Sequence, residues 1–231
     1  LTPYDTFWMN LRADASPYWV ENGGVVDPKN KVAWYTDPRA IAAQRRRMEY
    51  LIDRYGNLDT VFAWEIMNEA DLWWDPSMDV LRAWTVPSLA HAREYSRRRW
   101  GTVPMMTMSM AEPEAKGDKA DIQYRTAGFD FATNHLYVGR TKATKAGEER
   151  GAGEDFARGV RHAIGEIRDR RPLVEGESGP IDEWIKDVGL DDRTHKEMSW
   201  AHLLAGGAGA GTRWPYRHPH HVTDGMLRNL R

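Results

Sequence analysis

Cysteine is absent from all 231 residues, which excludes disulfides, thiolate zinc sites and cysteine nucleophiles. It does not assign a compartment, because many secreted enzymes also lack cysteine. No apolar run approaches the roughly 18 residues that a membrane-spanning helix requires. No Pro/Gly/Ser-rich linker divides the chain, so residues 1–231 read as a single domain long enough to enclose a full hydrophobic core. A surplus of one charge is missing too: 32 Lys plus Arg stand against 34 Asp plus Glu. The net charge of −2 provides no global field for nucleic acid or an anionic membrane, so a neutral partner is expected. An initiator Met and a signal peptide are both lacking at Leu1-Thr-Pro-Tyr, and the end from Gly225 to Arg231 reads as a helix just begun. Both ends read as cut.

What is abundant is aromatic: 11 Trp and 9 Tyr, which suits either an aromatic core or flat faces for sugar rings to pack against. Leu1 to Met9 reads as a first strand, and the long irregular stretch from Asn10 to Asp37 as part of a binding cleft. Asp37-Pro38 starts a helix whose apolar stripe runs through Ile41, Met48, Leu51, Ile52 and Tyr55 to a stop at Gly56. The runs Arg45-Arg46-Arg47 and Arg97-Arg98-Arg99 read as solvated helix faces rather than nucleic-acid contacts. A second helix is expected from about Asp79 to Trp100, interrupted near Pro87, followed by a strand over Pro104–Met110 and then a loop. Asp130–Tyr137 reads as a strand. Phe156, Val160, Ala163, Ile164 and Ile167 mark one face of a further helix, and a last helix spans about Asp192 to Ala205. Gly206–Trp214 reads as the final strand. The βα alternation predicts a parallel sheet, with six strands in all.

The stretch Val61-Phe-Ala-Trp-Glu-Ile-Met-Asn-Glu69 is a buried β-run that delivers an Asn-Glu pair at its carboxyl end, where parallel barrels carry their chemistry. Arg171-Pro-Leu-Val-Glu-Gly-Glu-Ser-Gly-Pro180 is another short strand ending in a glutamate. Two glutamates at the ends of two strands point to glycosidic bond cleavage. Several residues have rival readings. Glu175 lies two before Glu177, on the same side of a regular strand, and is the alternative nucleophile; Glu65 reads as a buried support paired with an arginine, and Trp64 as core. Pro180 replaces the glycine that a nucleophile elbow needs, which argues against a serine hydrolase. His218, His220 and His221 could ligate zinc or nickel, but no carboxylate or cysteine adjoins them and a solvated loop is the better reading.

Trp64-Glu-Ile-Met-Asn-Glu69, Asn134-His-Leu-Tyr137, Pro172–Gly179 and Arg213-Trp214, in that order, resemble the clan A glycoside hydrolases, and among them the cellulase- and mannanase-like (β/α)8 barrels. The resemblance implies a TIM-type α/β barrel domain with strands 3 to 8 of the family pattern and no counterpart of the first two βα units. It implies that Glu69 is the general acid/base, protonated at rest, and Glu177 the ionised nucleophile of a retaining double displacement on a β-linked neutral glycan. Asn68 would bind the sugar 2-hydroxyl, Tyr137 would hold Glu177 with His135 beside it, and Trp214 would floor the sugar site. Neither a metal nor another cofactor is implied. The missing units leave strands 3 and 8 as open edges, so self-association through those edges is expected. The competing expectation is a carbohydrate-binding remnant with little or no activity.

Overall fold

The computed structural model describes residues 1–6, 9, 16–72, 76–137, 151–179, 188–209 and 224–229. The chain divides into two compact units, one made of Leu1–Ala111 with Lys116–Phe131, the other of Glu112–Ala115 with Ala132–Arg231. Each unit is an α/β assembly built on one two-stranded parallel sheet. Among the described residues no helix is long and apolar enough to cross a membrane.

In the first unit the helices α1 (Ala33–Thr36), α2 (Pro38–Tyr55), α3 (Met78–Trp100) and α4 (Gly117–Arg125) accompany the strands β1 (Ala63–Glu65) and β2 (Met105–Thr107). The α2 helix starts where expected because the Asp37 side chain accepts the Arg39 N–H at 2.8 Å and Pro38 occupies the first turn. Hydrogen bonds from Arg39 hold the half-buried Asp37 carboxyl down at about 2. Its buried face is Ala40, Gln44, Met48 and Ile52. The α3 helix corrects the expected interruption, running unbroken through Pro87. Pro87 cannot donate to the carbonyl of Ala83, but both residues are exposed, so water can satisfy that carbonyl without disturbing the buried face of Leu81, Trp84, Thr85 and Leu89. The α4 helix falls where only a loop was expected. It is short and has no side-chain N-cap, so its sequence carries little helical signal.

Gln44 shows how the aromatic core of this unit is tied together. Its Nε2 donates to Trp34 O at 2.6 Å, its Oε1 accepts from Trp84 Nε1 at 2.7 Å, and its backbone carbonyl accepts from Tyr4 Oη at 2.6 Å. Around it Tyr4, Tyr18, Trp34, Tyr35 and Trp84 pack largely edge to face, with Trp34 and Trp84 centroids 5.2 Å apart. These aromatics are core, and burial pushes Tyr18 up to about 12. Gln44→Met keeps the volume but orphans a buried N–H and a buried carbonyl. It should cost about 2 to 4 kcal/mol in chemical denaturation, and a loss below about 1 kcal/mol would mean the two groups find other partners.

The second unit contains β3 (Ala132–Tyr137), α5 (Ala152–Glu166), β4 (Leu173–Gly179), α6 (Val188–Leu204) and α7 (Asp224–Asn229). The α5 stripe buries Phe156, Val160 and Ala163, and Gly159 permits close approach to β3, since a Cβ there would sit 2.7 Å from Leu136 Cδ2. On α6, His202 is fully buried; its Nδ1 lies 2.8 Å from Gly209 O, and burial lowers its pKa.

The described residues hold four strands where six were expected. Leu1 to Thr6 lies along β1 as anticipated, with Glu65 N–H to Leu1 O and Asn68 N–H to Tyr4 O both at 2.9 Å. It makes only an isolated bridge, Asp5 to Asn68, because the segment turns into a helical conformation at Thr6. Residues 206–209 of the expected last strand form turns, and Gly206 and Gly209 have positive φ. The rest of that strand, with Trp214 and the histidines at 218, 220 and 221, lies outside the described residues.

Candidate active site

Past Glu65 the first unit's sheet continues by main-chain bonds rather than as regular strand: Ile66 N–H to Thr107 O at 2.9 Å, Ser109 N–H to Met67 O at 3.2 Å and Ala70 N–H to Ser109 O at 3.1 Å. This carries Asn68 and Glu69 to the carboxyl end of β1, both at most 9% exposed. Glu69 has φ +46°, the single non-glycine residue with positive φ among the described residues. A side chain in that region costs about 1 to 3 kcal/mol and persists only where its surroundings enforce it. Here they do: Glu69 N–H donates to Ser109 Oγ at 3.0 Å, and Glu69 O accepts from Thr6 Oγ1 at 2.6 Å. The Asn68 side chain is held at both ends, with Nδ2 donating to Asp5 Oδ2 at 3.0 Å and Oδ1 accepting from Ser109 Oγ at 3.2 Å. Two residues further on, Asp71 accepts from Ala111 N–H at 2.7 Å and Lys119 Nζ at 3.0 Å. Glu65 is only half-buried and accepts from Thr2 Oγ1 at 3.1 Å, while Trp64 is core.

The second unit groups three of the residues singled out from sequence. Tyr137 Oη donates to Glu177 Oε1, and His135 Nδ1 lies 3.6 Å from Glu177 Oε2. His135 is buried, whereas the Glu177 side chain is 17% exposed. The carboxylate is thus partly open, anchored at one oxygen by the Tyr137 hydroxyl and faced at the other by the His135 ring.

The pairing of β3 with β4 is irregular. Asn134 aligns with Glu175 and His135 with Glu177, so Gly176 is an extra residue in β4. A Cβ on Gly176 would lie 2.6 Å from Thr133 Oγ1 and 3.4 Å from His135 Nε2, so this position turns toward the His135 face. The bulge thereby corrects the expectation that Glu175 and Glu177 share a side. Glu177 sits with His135 and Tyr137, whereas Glu175 sits with Asn134 and Leu136 on the face covered by α5, and its Oε1 accepts Leu136 N–H at 2.9 Å. Glu175 is 1% exposed. Burial, with a contribution from the charge of Glu177, pushes its carboxyl well above the usual range, against the opposing pull of the Leu136 bond. An acid buried against a helix layer is a poor nucleophile candidate.

Sequence spacing did not find Asp5, Thr6 or Ser109, which reach the Asn-Glu pair from about 40 and 63 residues away.

No family model matches the chain. A mannan endo-1,4-beta-mannosidase A of Hypocrea jecorina is 26% identical over 131 residues, covering 52% of this chain and 30% of that protein. The protein of the same name from Podospora anserina is 37% identical over 57 residues, 22% of this chain and 15% of its own length. Among solved structures, the hyperthermostable endo-1,4-beta-D-mannanase of Thermotoga petrophila superposes with a TM-score of 0.63 at 15% identity, over 92% of this chain and 62% of that one. The chain therefore spans less than two thirds of each of these relatives, and the structural likeness supports a partial glycoside-hydrolase-like α/β fold.

Proposed function

We propose that this chain is a retaining glycoside hydrolase acting on a β-linked neutral polysaccharide of the mannan type. The observation that carries the reading is the convergence of Tyr137 and His135 on the Glu177 carboxylate at a strand end, and the similarity to mannan endo-1,4-beta-mannosidases favours mannan over cellulose. In this mechanism Glu177 attacks the anomeric carbon, its free oxygen held by the Tyr137 hydroxyl, and forms a glycosyl-enzyme ester. Glu69 delivers a proton to the departing glycosidic oxygen. It then takes a proton from the water that opens the ester, so the two displacements restore the starting anomeric configuration. The Asn68 amide donates to the sugar 2-hydroxyl, an interaction that strengthens as positive charge develops on the ring.

Proton NMR of the first product formed from a soluble β-1,4-mannan oligosaccharide tests this directly. The β-anomer should appear first and the α-anomer only by later mutarotation. Initial α-product would mean an inverting reaction, for which carboxyls need roughly 6.5 to 9.5 Å between them rather than roughly 5 to 5.5 Å. Binding of the oligosaccharide with no product at all would sink the hydrolase reading in favour of a carbohydrate-binding role.

A further inference from the structure

We infer that Asp5 is a positioning residue for Asn68, fixing which face of the amide is presented to the sugar; the inference rests on the glycosidase reading above. An ionised carboxylate can only accept hydrogen bonds, so the Asn68 atom 3.0 Å from Asp5 Oδ2 must be the donor Nδ2. That choice fixes the other end. Ser109 has a single hydroxyl proton and already accepts Glu69 N–H at 3.0 Å, so its own proton goes to Asn68 Oδ1 at 3.2 Å. The result is a one-way chain, Glu69 N–H to Ser109, Ser109 O–H to Asn68, Asn68 N–H to Asp5, in which only Asp5 lacks an alternative donor state. Reversing the amide would set Oδ1 against the Asp5 carboxylate and an N–H against the Ser109 proton, so both bonds would fail together.

Asn68 has two N–H groups, and Asp5 takes one, leaving the second for a ligand hydroxyl. The residues flanking Asp5 keep the pair in register: Asn68 N–H donates to Tyr4 O at 2.9 Å on one side, and the Thr6 hydroxyl donates to Glu69 O at 2.6 Å on the other. Asp5 does not act on the reacting atoms itself. It decides that Asn68 meets the sugar as a donor.

The test compares Asp5→Ala and Asp5→Asn on an aryl β-mannoside and on its 2-deoxy analogue. Asp5→Ala should lower kcat on the mannoside by about 10- to 100-fold with little change in KM, and change the 2-deoxy substrate by less than about threefold. Asp5→Asn, whose Oδ1 can still accept from Asn68, should recover most of the loss. Equal losses on both substrates would mean that Asp5 merely supports the local fold, and no loss on either would overturn the inference. If the unaltered protein turns over neither substrate, the glycosidase reading falls, while positioning is still decided by NMR of the Asn68 side-chain amide. Two well-separated, slowly exchanging N–H signals should collapse in Asp5→Ala and persist in Asp5→Asn, and signals unchanged in Asp5→Ala would refute it.

Discussion

Glycine at position 69 is expected to raise the unfolding midpoint of the chain while lowering its turnover by two to four orders of magnitude. Glu69 carries a side chain at φ +46°, held there by Thr6 and Ser109 on its own carbonyl and amide. Glycine adopts that conformation without the Cβ clash and so recovers the strain of about 1 to 3 kcal/mol. Against this stands the greater freedom of glycine in the unfolded chain, about 0.5 to 1 kcal/mol, which leaves a net gain of up to about 2 kcal/mol. On the proposed mechanism Glu69 is the general acid, and its loss accounts for the fall in rate, typically about 10² to 10⁴-fold. Glu69→Gln is the control: it keeps the Cβ and the strain, so it should lose comparable turnover and gain no stability. Thermal unfolding and initial rates on both variants separate the two effects. If the glycine variant is no more stable than the glutamine one, the strain is not there; if either retains turnover, the proton donor is another residue.

The second large effect concerns Glu175, and its sign follows from burial. The folded-state pKa is raised, so between the unfolded value of about 4.3 and the higher folded value the folded chain binds the extra proton. Stability from this group is complete below about pH 4.3 and declines as the pH rises, by at most about 1.4 kcal/mol per pH unit, until the folded value is passed. Glutamine removes the titration but keeps the oxygen that accepts Leu136 N–H, and its amide faces Asn134, whose side-chain oxygen has no partner among the described residues. Glu175→Gln should therefore match the unaltered protein near pH 4 and exceed it increasingly toward pH 8. Unfolding midpoints across that range measure the divergence, and parallel curves would show that Glu175 is not held protonated. His202 acts in the opposite sense. Burial lowers its pKa, so its contribution is present above about pH 6.5 and is lost as the pH falls through the depressed folded value.

The helices were legible wherever a cap and an apolar stripe coincided. Asp37-Pro38 and the stripe from Phe156 to Ala163 each announced a helix that the structure contains. Pro87 misled because a proline's effect depends on which way its missing bond faces, and helix exposure is a property of the packed unit rather than of a window of sequence. The short strands were harder to delimit: β1 spans Ala63–Glu65, although main-chain pairing continues to Ala70 through irregular geometry. At the candidate site the residue types were readable and their supports were not. Tyr137 and His135 lie beside Glu177 across a parallel strand pair, a neighbourhood that the motif order suggested. Asp5 and Ser109 reach Asn68 by tertiary contact alone, and neither stands in a recognisable pattern.

The bulge at Gly176 changes what residue counting means in this strand. A motif is compared by position along the chain, but a sheet distributes side chains by pleat, and here the two run out of step by one. Were Gly176 pleated as an ordinary strand residue, Glu175 would fall on the side of Glu177, bringing a second acid to the face of His135 and pressing like charges together. An ungapped comparison of this strand with one lacking the bulge, anchored at Glu175, would set Gly176 rather than Glu177 opposite His135. The bulge lets two acids spaced for one side of a strand lead separate lives, one inside the packing and one partly open, where a ligand can reach it.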